Sequence, residues 1–231
     1  GGVTAFAVFL PGSSGSSLSG IVITNYQQGI IISGANNIKI YDNSMSSMSY
    51  SGVALEGSGA TNNRIYRNTI YSNNIAINLT QSSTSTIIYE NTLSQNNIGI
   101  ALTNSNGNRI YHNNFANNIS QVTISNSAGN IWDNGYPSGG NYWSNYTGKD
   151  NNKDGIGDTP YVIDTNNVDR YPLMNPWPCQ ITPSPPVGGI WIPVNKFALL
   201  APYIALASTI ILTIAVTAVF VKYKKKRQTL T

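Results

Sequence analysis

The 231-residue chain holds one cysteine, one histidine and three methionines, and only 10% of it is charged. Copper centres are built from clusters of Cys, His or Met, so this stock of donors gives copper little support. With Cys179 as its one cysteine the chain closes no internal disulfide, and its stability has to come from a packed core helped by bound metal. Cys179 reads as an unpaired thiol in a linker, pairing with another chain being the alternative. A basic face for nucleic acid is also missing. The net charge is +4, but Lys196, Lys222, Lys224, Lys225, Lys226 and Arg227 supply six of the 13 bases, and the residues before them set seven bases against nine acids. That balance excludes nucleic acid as a partner. The sequence opens Gly1-Gly2-Val3, without Met or the charged start of a signal peptide, and reads as a processed chain or a fragment.

What the sequence has in abundance is Asn, Ser, Thr, Gly and Ile, set out in a repeat. A tetrapeptide recurs five times, aromatic in its second place and Asn in its fourth: Ile40-Tyr41-Asp42-Asn43, Ile65-Tyr66-Arg67-Asn68, Ile88-Tyr89-Glu90-Asn91, Ile110-Tyr111-His112-Asn113 and Ile131-Trp132-Asp133-Asn134. The Asn-to-Asn steps are 25, 23, 22 and 21 residues, room for three short strands and their corners but too short for most helical repeats. One such unit cannot bury its apolar face, whereas stacked units can. Other positions recur in step. Ile30, Val53, Ile77, Ile100 and Val122 form one column, and two residues later Ile32, Leu55, Leu79, Leu102 and Ile124 form another, so both point inward from one strand face. Met45, Ile70, Leu93 and Phe115 form a third column two residues past the Asn, and Ser58, Ser82, Ser105 and Ser127 mark a corner. The expected fold is all-β, a right-handed parallel β-helix over residues 1–134. Coils that rise ~4.8 Å each make a rod of about 25 Å from five of them.

Asn43, Asn68, Asn91, Asn113 and Asn134 are expected to stack as a structural ladder of amides that bond from coil to coil at a bend. The residues just before them, Asp42, Arg67, Glu90, His112 and Asp133, alternate in sign and read as an exposed ladder of cross-strand pairs rather than a catalytic set. From Gly135 the repeat stops and Tyr136, Tyr142, Trp143 and Tyr146 crowd among glycines, which suits a C-terminal cap over residues 135–175. Within it, Asp150, Asn152, Asp154 and Asp158 stand at places 1, 3, 5 and 9 of a calcium-type loop, with Gly155 at place 6 and the Ile156 carbonyl at place 7. Place 12 is Tyr161, so a bidentate acid there would have to come from Asp164. Calcium is expected at Asp150, Asn152, Asp154, Ile156 and Asp158, against the alternative of a metal-free Asx-rich turn.

Residues 176–196 form a linker stiffened by Pro176, Pro178, Pro183, Pro185, Pro186 and Pro193. Residues 197–221 are 25 uncharged, mostly apolar residues, enough for a transmembrane helix. The basic tail 222–231 then belongs in the cytoplasm, which makes the protein single-pass with its N-terminal region outside the cell. That topology gives meaning to three sequons, at Asn78, Asn118 and Asn145, as candidate glycosylation sites.

The phrasing Asn97-Ile98-Gly99-Ile100-Ala101-Leu102 and its counterparts, with the closing GGNYWSNYTGKDNNKDGIGDTPYVID and DRYPLM segments, resemble the right-handed parallel β-helix repeats of the periplasmic copper-binding NosD family. The resemblance covers about residues 20–175 and implies the fold, with copper-site maturation or, in the wider group, carbohydrate binding and sugar cleavage as the function. A hydrolase needs paired carboxyls facing one groove, and Asp42, Glu90 and Asp133 recur only on every second coil. The expected function is therefore that of a membrane-anchored surface β-helix that binds glycans or neighbouring envelope proteins without catalysis. A polysaccharide lyase or hydrolase is the alternative, and a copper accessory protein the third.

Overall fold

The computed structural model describes residues 5–178, which lie within the first of two compact units, residues 1–184. They form a parallel β-solenoid of three sheets. Sheet A stacks Ala5–Phe9, Gln28–Ser33, Ser51–Glu56, Ile75–Leu79, Ile98–Thr103 and Ser120–Ser125. Sheet B stacks Ser17–Ser19, Lys39–Tyr41, Arg64–Tyr66, Ile87–Tyr89 and Arg109–Tyr111, and sheet C runs from Val22–Thr24 through Ser44–Ser46, Thr69–Tyr71, Thr92–Ser94 and Asn114–Ala116 to Tyr142–Trp143. Each strand pairs in parallel with its equivalent one coil away. The described residues contain no α-helix. Residues 197–221 and 222–231, and Cys179, lie outside the described residues, among which no helix is long and apolar enough to cross a membrane.

The tetrapeptide explains itself in three dimensions. In Ile65-Tyr66-Arg67-Asn68 the Ile points into the core, the Tyr faces out, the third residue turns the corner and the Asn points in again. The third residue adopts a left-handed backbone in the first four of the five tetrapeptides: φ is 55° at Asp42, 53° at Arg67, 58° at Glu90 and 56° at His112. The unusual backbone thus belongs to the residue before the Asn, and the Asn repairs what the bend breaks. Asn91 Oδ1 accepts the Asn68 N–H at 3.0 Å, and Asn91 Nδ2 donates to Ile65 O at 2.9 Å, so backbone groups turned away from any strand partner are satisfied. Inward columns do the rest. Val53, Leu55, Ile65 and Ile70 of one coil are completely buried, and each such side chain contributes roughly 1.5–3 kcal/mol. The three expected aliphatic columns are in register, as the pairs Val53–Ile77, Leu55–Leu79 and Ile70–Leu93 show.

Two corners differ from expectation. The fifth tetrapeptide is out of phase by one residue: Ile131 pairs with Arg109, so Trp132 stands over Ile110 and is buried while Ile131 is 45% exposed. A one-residue slip turns every side chain to the other face, and Asn134 lies outside, bonded to Ser138 Oγ and Arg109. Asn141 takes the ladder position instead, its Oδ1 accepting the Asn113 N–H at 3.0 Å. At the serine corner, Ser105 N–H bonds Ser127 Oγ, but the buried residue one coil earlier is Ser83 and not Ser82. Gln81 and Ser82 take left-handed conformations there and absorb one extra residue.

Candidate functional site

Three amide ladders hold the corners, of which sequence reading finds one. Asn43, Asn68, Asn91, Asn113 and Asn141 bond in series at 2.9–3.0 Å between Nδ2 and Oδ1. Asn73, Asn96 and Asn118 form a second series. Asn63, Asn108 and Asn130 belong to a third that Thr86 interrupts, leaving its Oγ1 buried without a partner. The first ladder ends on an acid. Asp169 Oδ2 accepts the Asn141 N–H at 2.7 Å and the Trp143 Nε1–H at 2.9 Å, and Oδ1 accepts the Tyr171 N–H at 3.1 Å. Burial pushes its pKa up to about 7, against the pull of those three donors. Gly140 is required beside it, since a Cβ there would collide with the carboxylate. The neighbouring Asp133 is also buried and takes a two-pronged bond from Arg170 at 2.9 and 3.1 Å.

The column of alternating sign is therefore only partly a ladder. Arg67 and Asp42 form a two-pronged pair at 2.8 Å, half exposed, and the guanidinium bond holds the Asp42 pKa below its ordinary value. His112 departs from the column altogether: it is buried, stacked 3.7 Å from the Trp177 ring, with Nε2 2.8 Å from Ser138 O. Burial lowers its pKa. Asp133 belongs to Arg170.

Beside that column, sheet B presents a ridge. Tyr41, Tyr66, Tyr89 and Tyr111 stack with centroids 5.0, 4.9 and 5.6 Å apart and planes within 14° of parallel. A spacing equal to the coil rise makes this unavoidable, and it consumes the ring faces on one another, leaving edges and hydroxyls outward. Exposed Lys39, Arg64 and Arg109 run along one flank, and Arg67 lies 4.9 Å over the Tyr66 ring.

The acidic loop of the cap is closed by its own backbone. Asp150 accepts from Asp154 N at 3.2 Å and Gly155 N at 2.9 Å, Asp154 from Ile156 N at 2.8 Å, and Asp158 from Asn151 N at 2.8 Å. Asn152 turns its Nδ2 to Asp154 Oδ2 at 3.0 Å. Asp164 does not fold back to serve as the twelfth place; it bonds Asn166 and Asn167. Tyr161 at that place instead stacks 4.2 Å from Trp143. Among the described residues no three His, Cys, Asp or Glu side chains converge as a metal centre. Of the sequon residues, Asn78 is 4% exposed and Asn118 is held in its ladder, bonded to Leu93 O and Gln121 Oε1, while Asn145 is exposed.

A cleft of about 520 Å³ opens between the last strand of sheet A and the hairpin Tyr161–Asp164/Asn167–Asp169, lined by residues 117–122, 144–145 and 161–163, none charged. Ile119 and Val162 on its walls are 86% and 65% exposed.

Residues 3–148 match the family model described as periplasmic copper-binding protein (NosD). The chain belongs to that family. No curated protein and no solved structure matches it. Of the imidazole and thioether donors among the described residues, three are engaged elsewhere in this NosD-family chain. His112 is committed to Ser138 O and Trp177, and Met45 and Met48 are buried in the core among aliphatic side chains.

Proposed function

We propose that this member of the NosD family is a membrane-tethered β-helix of the cell envelope that binds an acidic glycan along sheet B and does no chemistry on it. The carrying observation is the ridge: a row of tyrosine hydroxyls at one-coil intervals beside Lys39, Arg64 and Arg109. Because the rings stack on each other, sugars cannot stack on them. The ridge offers instead hydrogen-bond donors and positive charge, which suits a chain of carboxylates or sulfates. An enzymatic role is less well supported. A lyase would need Arg67 as base, and its bond to Asp42 raises its pKa still further, opposite to what proton abstraction requires.

The rest of the reading fits that placement. The apolar segment 197–221 would anchor the chain with 222–231 in the cytoplasm, and of the three sequons Asn145, the exposed one, suits glycosylation. Calcium would bind at Asp150, Asn152, Asp154, the Ile156 carbonyl and Asp158, supported by five oxygen-bearing groups on nine residues, with the Asn152 amide rotated to present its Oδ1. Affinity electrophoresis of the chain in detergent, with polygalacturonate or a neutral glucan in the gel, tests the function. Retardation by polygalacturonate alone, weakened by salt and lost in Arg64→Ala/Arg109→Ala, is expected. Equal mobility in both gels refutes it, and shortened polysaccharide would restore the enzymatic reading.

A further inference from the structure

The cap closes two of the three sheets and leaves the third open. Sheet B is continued past Arg109 by Ile131, and sheet C past Asn114–Ala116 by Tyr142–Trp143 and then Leu173. Sheet A ends at Ser120–Ser125, which pairs with Ile98–Thr103 on one side and with no described strand on the other. Its inward residues show the consequence. Ile30, Val53, Ile77 and Ile100 are completely buried, while Val122 and Ile124, the next members of their columns, are only partly so.

Natural sheet edges are guarded by lysines, prolines or bulges. Residues 117–130 contain no charge and no proline, and Val122, Thr123 and Ile124 are three β-branched residues in a row. Asn104 N–H of the preceding coil bonds Ser125 O, so by strand alternation Thr123 and Ser125 face that coil, while the N–H groups of Val122 and Ile124 point away from it, to the free edge. The first half of that edge, Ser120–Val122, lines the uncharged cleft together with Val162 of the hairpin. We propose that the free edge of Ser120–Ser125 accepts an extended segment of another protein as an added β-strand, uncharged and alternately apolar, whose inward side chains cover Val122 and Ile124. Strand addition takes its affinity from main-chain bonds and its selectivity from alternate side chains. The uncharged lining suits an uncharged segment, and the partly buried Val122 and Ile124 call for apolar residues at its alternate places.

The probe is a fluorescent peptide of residues 97–104, Asn-Ile-Gly-Ile-Ala-Leu-Thr-Asn, the strand that already pairs with Ser120–Ser125 on its other side. Added to the full chain in detergent micelles, it should bind saturably and slow amide exchange at Ile124. Ile124→Pro removes the outward N–H, and Val162→Lys puts a charge beside the edge; each should weaken binding by about tenfold or more, since one lost or desolvated polar group costs on the order of 1–3 kcal/mol. Should Ile124→Pro fail to fold, Val162→Lys carries the test, its side chain being largely in solvent. No binding by the wild type, or equal binding by Val162→Lys, overturns the proposal. So does slow exchange at Ile124 before peptide is added, which would show the edge already filled by the chain itself or by a second copy. A neutral oligosaccharide that protects Ile124 where the peptide does not would overturn it in favour of a sugar site.

Discussion

Asp169 makes the cap sensitive to pH, with a sign opposite to that of most carboxylates. Its folded-state pKa of about 7 stands above the ordinary 3.8 because the carboxyl is buried beneath Trp143 and Asn141. The folded protein therefore keeps a proton that the unfolded chain releases near pH 4. The stability tied to that proton is fully present below about pH 4, is lost as pH rises through 7, and does not change further above it. A difference of about three units corresponds to roughly 4 kcal/mol. His112 acts the other way in part of this window, since its lowered pKa costs stability as pH falls below about 6.5. A variant isolates the acid. In Asp169→Asn the side-chain oxygen can still accept from Asn141 and Trp143, but its amide meets the Tyr171 N–H, which costs about 1–3 kcal/mol. Asp169→Asn should thus be less stable than wild type at pH 4 and more stable at pH 8, with the two curves crossing between. Urea unfolding followed by the fluorescence of the buried Trp132 and Trp143 measures it. A wild type-minus-variant difference that is flat from pH 4 to 8, or that grows with pH, would refute the account.

Three further outcomes follow from the amides and the acidic loop. Asn91→Ala should cost about 3 kcal/mol or more in urea unfolding, because it strips partners from Asn68 and from Ile65 O, whereas Asn134→Ala, outside the ladder, should change stability by less than about 0.5 kcal/mol. Thr86→Asn should stabilise by about 1 kcal/mol, since it replaces a buried hydroxyl without a partner by the amide that joins Asn63 to Asn108 in their column. Calorimetry should show Ca²⁺ binding that Asp154→Asn abolishes while the loop keeps its bond to Ile156 N; absence of heat in the wild type would leave the loop as an Asx turn.

The solenoid is legible in the sequence because its period, inward columns and corner amides all state one repeat, and stacking forces equivalent residues onto one another. Where the repeat slips by a single residue, the pattern misleads. Ile131-Trp132-Asp133-Asn134 looks like its four predecessors, yet its register places Trp132 over Ile110 and turns Asn134 outward. A signal for the true rung is present: Met45, Ile70, Leu93 and Phe115 each follow the ladder Asn by two, and Trp143 follows Asn141 by two, pairing with Phe115. The second ladder was equally within reach, since Asn73, Asn96 and Asn118 each lie five residues past a rung of the first. Asp169 gave no such sign, because it reaches the ladder from a non-repeating segment 28 residues beyond Asn141.

Binding surfaces on a stacked fold divide along the same line. An aromatic residue repeated once per coil is set to stack on its copies, because the coil rise falls within the centroid spacing of offset-stacked rings. The edge-on presentation of Tyr41, Tyr66, Tyr89 and Tyr111 is therefore a consequence of the sequence period, and so is the preference for hydrogen bonding and charge over sugar stacking. The open edge at Ser120–Ser125 has no counterpart in any repeat. Its own residues resemble those of Ile98–Thr103, with which it pairs in full register, and what distinguishes it is the strand that the cap does not add above it. A site made by an omitted element leaves no motif to read, so its recognition depends on counting which sheets the cap continues: two of three.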